Sequence, residues 1–544
     1  MLRAAIVVAA MGLSSGASQA QTATTCPADL PVDTRCYAGQ DQNGAYYLVA
    51  IPSNWNRMLV LHAHGGPNLG PATLGRAEED LTRWAITVKE GFAWAGSTYR
   101  RGGYGVRMAA EDTENLRRIF FEAFPRPRLT LIHGQSFGAN VAAKVIELYN
   151  AGPVPKYHGA LLSSGVVGPG GTHNYLFRAD LRAVYQYYCR NHPGPDEPWY
   201  PVWMGLPLDS TLTTAQLRDR INECTGNLLP AAQRTAQQQQ NLTNILKVVK
   251  IPESSLASHL NFATFTFRDL VMLRLDGRSP FSNWDVQYAG STDDAALNQG
   301  VERFEADTDA ALELAYDSNL TGKISIPVLN VHAIDDPTAF VELESAYREV
   351  LERANTGHLL QQTFTKERQH SFLQQPEYAA LFRGLVRWVE TGDKPALHEI
   401  VVECSVARLQ YGEACLFDVG FEPQPFFART YPRNFPAENS PPVDFRVVPG
   451  VLDLTTPGIF EGVLSVPEGY DLADWGVSDL RAEGAPALFS SLSPDGRSLI
   501  ATFDKSALRS VAAGEAVVLT LTGTFNRNGE RSLLVTSAAV RVVE

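Results

Sequence analysis

The stretch Leu129-Thr130-Leu131-Ile132-His133-Gly134-Gln135-Ser136-Phe137-Gly138-Ala139 decides how this chain of 544 residues is read. Leu129 to Ile132 form a short apolar run of β-forming residues. From Ala139 to Tyr149 the apolar residues Val141, Ala142, Val145, Ile146 and Tyr149 recur at helical spacing. Between strand and helix stands G-x-S-x-G. A serine there occupies a sharp turn with its hydroxyl free at a sheet edge, and side chains at the two glycine positions would strike neighbouring backbone. The pattern alone is weak, but strand, tight turn and helix around it make Ser136 the expected nucleophile.

Upstream, 45–51 and 58–63 are β-rich runs, the second breaking at Gly65-Gly66-Pro67. A helical stretch around 74–90, a strand-like run Phe92 to Ser97 and a helix over about 109–124 follow. Strands alternating with helices imply a parallel sheet flanked by helices. An acyl-transfer serine also needs donors for the developing oxyanion. The backbone N–H groups of Gly65 and Gly66, at a strand end, and of Phe137, at a helix start where the dipole favours negative charge, are the expected oxyanion hole. His62 and His64 alternate on one strand face, and with no carboxylate or cysteine cluster beside them they read as structural, with no metal.

Downstream the acid and the base are expected in that order. Ile326 to His332 is a buried-strand pattern that ends in Ala333-Ile334-Asp335-Asp336-Pro337-Thr338. Two acids are adjacent there. The Asp-Pro pairing at the bend favours Asp336 as the acid, with Asp335 as a capping or solvated neighbour. After one more helix and the strand-like Leu359 to Thr365 comes His370, in a polar loop before a helix over about 376–390, and it is the expected base. His332, inside an apolar strand, reads as a satisfied core residue, and His358 precedes its strand rather than following it. The chemistry follows: His370 takes the proton of Ser136 and Asp336 fixes the imidazole. It needs no metal or organic cofactor.

The H-G-G loop, the G-Q-S-F-G elbow, the acid after strand Val328 to His332 and the late histidine together resemble the α/β-hydrolase superfamily over roughly residues 40–395. The glycine-rich Tyr99 to Gly105, with His64-Gly65-Gly66-Pro67, is also similar to the catalytic domain of prolyl-oligopeptidase-like serine peptidases. In that family the elbow usually carries glycine where this chain has Gln135 and Ala139, and no N-terminal propeller repeat is present here. The resemblance implies an α/β-hydrolase core and a Ser-His-Asp triad.

Ser136 and Asp336 are far more distant in sequence than two βα units require. Residues 172–320 are therefore expected to form a mainly helical cap, with helical stretches near 213–247 and 254–276, inserted between core segments 21–171 and 321–398. Helical periodicity ends near Gly392. Residues 399–442 then read as a Pro-rich linker containing Cys404 and Cys415, and 443–544 as a β-sandwich domain with strand-like segments at 445–448, 462–466, 498–503, 516–521 and 532–543.

The first 20 residues carry Arg3, an apolar run from Ala4 to Leu13 and small residues up to Ala20, the pattern of a cleaved secretory signal. The run is shorter than the ~20 residues a membrane span needs. Export to periplasm or medium would place the six cysteines in an oxidising compartment. The expected disulfides are Cys26/Cys36, Cys189/Cys224 and Cys404/Cys415, each closing a local loop. With 46 Lys+Arg against 59 Asp+Glu, a formal charge of −13 and no basic runs, nucleic acid and anionic membranes are not expected as partners.

These readings converge on a secreted serine hydrolase, a carboxylic ester hydrolase acting on small-molecule or polymeric esters. The alternative is a serine peptidase of the prolyl-oligopeptidase or aminopeptidase type; a dedicated exopeptidase would need a carboxylate pair or similar group to hold a free amine, a role the sequence assigns to neither Asp196 nor Glu197 in the cap. The overall negative charge favours neutral esters unless the cap supplies local arginines.

Overall fold

The computed structural model describes residues 21–544 apart from 28, 371–372, 438–439 and 510. The expected signal segment, 1–20, lies outside the described residues. Nine strands form the main sheet: β1 (Thr22–Thr24), β2 (Arg35–Gln40), β3 (Tyr46–Ile51), β4 (Met58–Ala63), β5 (Ala93–Ser97), β6 (Leu129–Gln135), β7 (Gly159–Ser163), β8 (Val328–Ala333) and β9 (Leu360–Thr365). Their order is β1-β2-β3-β5-β4-β6-β7-β8-β9. From β5 to β9 all neighbours are parallel, while β1, β2 and β3 join by antiparallel pairing.

The pleat explains why strands such as β4 are apolar throughout. Alternate residues Leu59, Leu61 and Ala63 enter one core with Ala109, Leu116, Val141 and Val145 from the helices Val106–Ala123 and Phe137–Tyr149. Met58 and Val60 enter the other, with Trp84, Ile86, Tyr378, Phe382 and Leu385. A sheet covered on both faces leaves only its carboxyl edge for chemistry.

Between β7 and β8 the chain leaves the sheet for a helical cap. Its principal helices are Gly170–Cys189, Thr214–Thr225 and Ala236–Val249, followed by a continuous helical stretch from Leu256 to Arg274 that widens into π turns over Phe262–Thr266 and Arg268–Arg274. Thr213 and Thr235 each begin a helix with a capping box, which fixes the starts that periodicity alone left blurred. The Cys189–Cys224 bridge joins the ends of two of these helices. The other bridges are Cys26–Cys36 and Cys404–Cys415.

One expectation needs correction. Residues 399–411 are not linker but most of a helix, Leu397–Tyr411, whose Ile400, Cys404 and Ala407 recur at spacings of four and three and pack in the core behind Gln375–Thr391. The C-terminal β region comprises β10 (Asp444–Val448), β11 (Val451–Asp453), β12 (Ile459–Ser465), β13 (Val477–Ala482), β14 (Ala485–Leu492), β15 (Ser498–Asp504), β16 (Gly514–Arg527) and β17 (Glu530–Val543). Phe445, Phe460, Phe503, Leu519 and Leu534 share its own core. It is tied to the hydrolase part by ion pairs: Arg107 Nη1 donates to Glu483 at 3.0 Å, and Arg509 Nη1 to Glu313 at 2.7 Å.

Candidate active site

Strand β6 ends at Gln135, and Ser136 takes a left-handed φ of 58° before the helix Phe137–Tyr149 begins. This is an uncommon conformation for a side-chain-bearing residue, held by the bonds around it: Ser136 N donates to Ser163 O at 2.9 Å, and Val166 N donates back to Ser136 O at 3.1 Å. The two glycines are required by close approach. A Cβ on Gly134 would lie 2.1 Å from the carbonyl oxygen of Gly138, and one on Gly138 would lie 2.1 Å from that of Ala63.

The structure brings Ser136, His370 and Asp336 together. Ser136 Oγ lies 2.7 Å from His370 Nε2, and His370 Nδ1 lies 2.7 Å from Asp336 Oδ2. The other carboxylate oxygen of Asp336 accepts from the backbone of Thr338 at 2.8 Å and Ala339 at 3.0 Å. Burial alone would raise the Asp336 carboxyl. The charge of His370 and bonds from His332 and His370 outweigh it and hold the group well below the usual carboxylate range. Asp335 turns outward, 3.6 Å from Arg368 Nε. Gln135 Nε2 donates to the carbonyl of His370 at 3.3 Å, so the elbow itself steadies the histidine loop.

The H-G-G loop lies against the elbow, since a Cβ on Gly65 would meet Gln135 Oε1 at 2.8 Å. Gly66 has a φ of +150°, which favours glycine. Phe137, the first residue of its helix, has no carbonyl one turn earlier for its N–H to meet. Gly65 thus meets the elbow at Gln135, and Phe137 follows Ser136 with its N–H at the start of the helix.

Several residues around the site were not anticipated. Asp80, on the buried face of helix Leu74–Arg83 with Ala77 and Leu81, bonds His64 Nδ1 and lies 3.5 Å from His62 Nε2. Asn68 Nδ2 reaches His64 Nε2 at 2.7 Å, and Tyr99 OH donates to His64 O at 2.9 Å, so the loop is pinned from three sides. The signal was an acid at helical spacing from buried apolar residues. His332 is buried, as expected, but it is not a bystander. Its Nδ1 lies 2.7 Å from Glu344 Oε1 and its Nε2 3.4 Å from Asp336 Oδ2. Burial would lower its pKa, but bonds from Asp336 and Glu344 win and push it up to about 10, so an imidazolium underlies the acid. In the cap, Glu197 is taken by Arg220, whose Nη1 donates to it at 2.8 Å, and by the N–H of Gly194 at 2.7 Å.

No family model matches the chain. Over 112 residues it is 28% identical to an o-phthalyl amidase of Xanthobacter agilis, a match covering 20% of this chain and 23% of that protein, so it spans under a quarter of the relative's length. Among solved structures it is similar to feruloyl esterase B from Aspergillus oryzae, at 15% identity and a TM-score of 0.33 over 69% of this chain and 87% of the other. It is likewise similar to Candida antarctica lipase A in its closed state, at 12% identity and a TM-score of 0.37, covering 69% and 83%. The strand order, with β3 antiparallel beside β5 and all later strands parallel, and a strand–turn–helix elbow at the carboxyl edge give this chain an α/β-hydrolase fold.

Proposed function

We propose that the protein is an exported serine hydrolase that cleaves carboxylic esters through an acyl-enzyme. The observation that carries this reading is the unbroken hydrogen-bond path from Asp336 Oδ2 through both nitrogens of His370 to Ser136 Oγ, with 2.7 Å at each step. His370 takes the Ser136 proton as Oγ attacks the ester carbonyl, and Asp336, held ionised, stabilises the imidazolium that forms. The oxyanion turns toward the N–H groups of Phe137 and the Gly65-Gly66 loop. The departing alkoxide receives the proton from His370, and water repeats the sequence to release the acid. Nothing in this cycle requires a cofactor.

Three disulfides support export to an oxidising compartment. Among the described residues no helix is long and apolar enough to cross a membrane. A second reading, amide hydrolysis, draws on the partial likeness to a protein named an amidase. The aminopeptidase form of that reading loses Glu197 as a candidate amine holder, because Arg220 already occupies it.

A panel of 4-nitrophenyl esters and matched 4-nitroanilides, run on the wild type and on Ser136→Ala, tests the proposal. The expected result is Ser136-dependent turnover of the esters that exceeds turnover of the anilides. Turnover of anilides alone would replace the ester reading with the amide one, and an absence of Ser136-dependent turnover of either would end both.

A further inference from the structure

The cap helix Gly170–Cys189 carries a buried charge with no counter-ion. Arg178 is 1% exposed, and among the described residues no carboxylate lies within ion-pair distance of its guanidinium. Its Nη1 donates to Asn174 O at 2.7 Å and its Nη2 to Thr338 O at 3.0 Å, while the buried Nε–H meets no acceptor. One turn earlier on the same helix, the buried side-chain oxygen of Asn174 also lacks a donor. Sealing a guanidinium away from water without an anion costs several kcal/mol. The same helix shows the usual solution two residues on, where Asp180 pairs with the buried Arg433 at 2.7 Å, while Arg182, one turn beyond Arg178, is likewise buried without a carboxylate partner among the described residues and donates to His192 O at 2.8 Å.

Arg178 stands beside the loop that holds Asp336. Thr338, whose carbonyl it holds, donates its own N–H to Asp336. Aromatic rings connect it with the other side of the site. Its guanidinium lies 4.6 Å from the ring centres of both Phe177 and Phe262, and 5.9 Å from that of Tyr175. Tyr175 packs on Tyr104 at 5.6 Å, and Tyr104 on Phe137, the residue after Ser136, at 5.8 Å. Phe262 begins the π-helical stretch of the cap, a distortion that is frequent at functional sites. Burial pushes the Arg178 pKa down to about 10, with Tyr175 and Asp336 opposing it, so the group remains a cation at neutral pH.

Resting on the serine-hydrolase reading above, we propose that Arg178 is a recognition residue for a carboxylate on the substrate. The substrate class is then an aromatic ester that carries a free carboxylate besides the ester bond. The Nε–H and the outer N–H of Nη2 share one edge of the planar group, the spacing that takes both oxygens of a carboxylate. The rings of Phe177, Phe262 and Tyr175 flank that cation, and Phe262, which is only partly buried, is the one placed to offer a face to an aryl group. A purely structural role, clipping the cap helix to the Thr338 carbonyl, is the competing account.

The test compares kcat/KM of the full-length protein for 4-nitrophenyl benzoate and for the same ester bearing a 4-carboxylate on the benzoyl ring, alongside an ester with the carboxylate on the leaving phenol. The wild type should prefer at least one carboxylated ester. In Arg178→Met the carboxylated-to-neutral ratio should fall by ~30-fold or more, and Arg178→Lys should recover part of it. A ratio unchanged by Arg178→Met, or a wild type that prefers the neutral ester, overturns the proposal. Should Arg178→Met not fold, Ser136→Ala with Arg178 intact decides by thermal unfolding with benzene-1,4-dicarboxylate or its diamide. The dianion alone should raise Tm, and equal effects of the two overturn the proposal. If Ser136→Ala is stabilised by the dianion while the wild type turns over no ester, the hydrolase reading fails and the anion site stands. If neutral and carboxylated esters turn over alike, the reverse holds.

Discussion

At the carboxyl edge of the parallel sheet, polar groups meet partners: Asp336 has His370, His332 and two backbone N–H groups, and Asp80 has His62 and His64. On the cap helix above, Asp180 is paired with Arg433, but Arg178 has only backbone carbonyls and rings around it. The difference separates two tasks. The Asp336–His370–Ser136 chain is hydrogen-bonded throughout without substrate, as the proposed acyl transfer requires of groups that must act without rearrangement. The cap retains an unsatisfied charge, which suits a group whose partner arrives with the substrate. On the proposed function, reactivity and selectivity fall to different layers of the molecule.

Four substitutions break or sharpen that contrast. Ser136→Ala should remove turnover by about 10⁴-fold or more while leaving thermal unfolding essentially in place, because the elbow's backbone bonds do not use the hydroxyl. Asp336→Asn should cost about 10³ to 10⁴ in kcat, since an amide cannot hold the protonated imidazole as a carboxylate does; steady-state kinetics on any turned-over ester gives the number. Removal of His332 acts on stability. With its pKa raised to about 10, protonated His332 stabilises the fold fully below its unfolded value near 6.5, and that contribution is lost as pH rises through 10. Wild-type Tm should therefore fall over that window, and in His332→Gln the slope should flatten after a loss of about 3 kcal/mol at neutral pH. An unchanged slope would mean that His332 is neutral under Asp336. A loss of similar size and without pH dependence is expected in the cap: Cys189→Ser with Cys224→Ser should cost about 3 kcal/mol in urea unfolding, from a bridge spanning 35 positions.

What was legible in the sequence was what local patterns encode. The elbow at 134–138, the strand ending before Asp335-Asp336 and the late His370 each sit within a few residues of the turn that presents them, so spacing alone brought them into view. The choice of Asp336 over Asp335 rested on the bend at Pro337, and the structure turns Asp335 out to Arg368. The helix Leu397–Tyr411 was hidden behind the proline-rich stretch that follows it, although Ile400, Cys404 and Ala407 carried its period. Strands β13 and β14 escaped because one is short and polar and the other contains Pro486. Contacts made by chain folding were not legible at all: Asp80 meets His64 from another element, Glu344 meets His332 across a turn, and Arg178 meets Thr338 from 160 positions away. The formal charge of −13 pointed toward neutral esters, whereas the cap helix Gly170–Cys189 buries two arginines, Arg178 and Arg182, whose positions only the fold reveals.

The central claim is that Ser136, activated by His370, is the group that forms a covalent acyl-enzyme. Intact-protein and peptide mass spectrometry after treatment with a fluorophosphonate tests it most directly. The account predicts one adduct per chain, located on the peptide containing Ser136 and absent from Ser136→Ala; an adduct elsewhere, or none on folded wild-type protein, would contradict it.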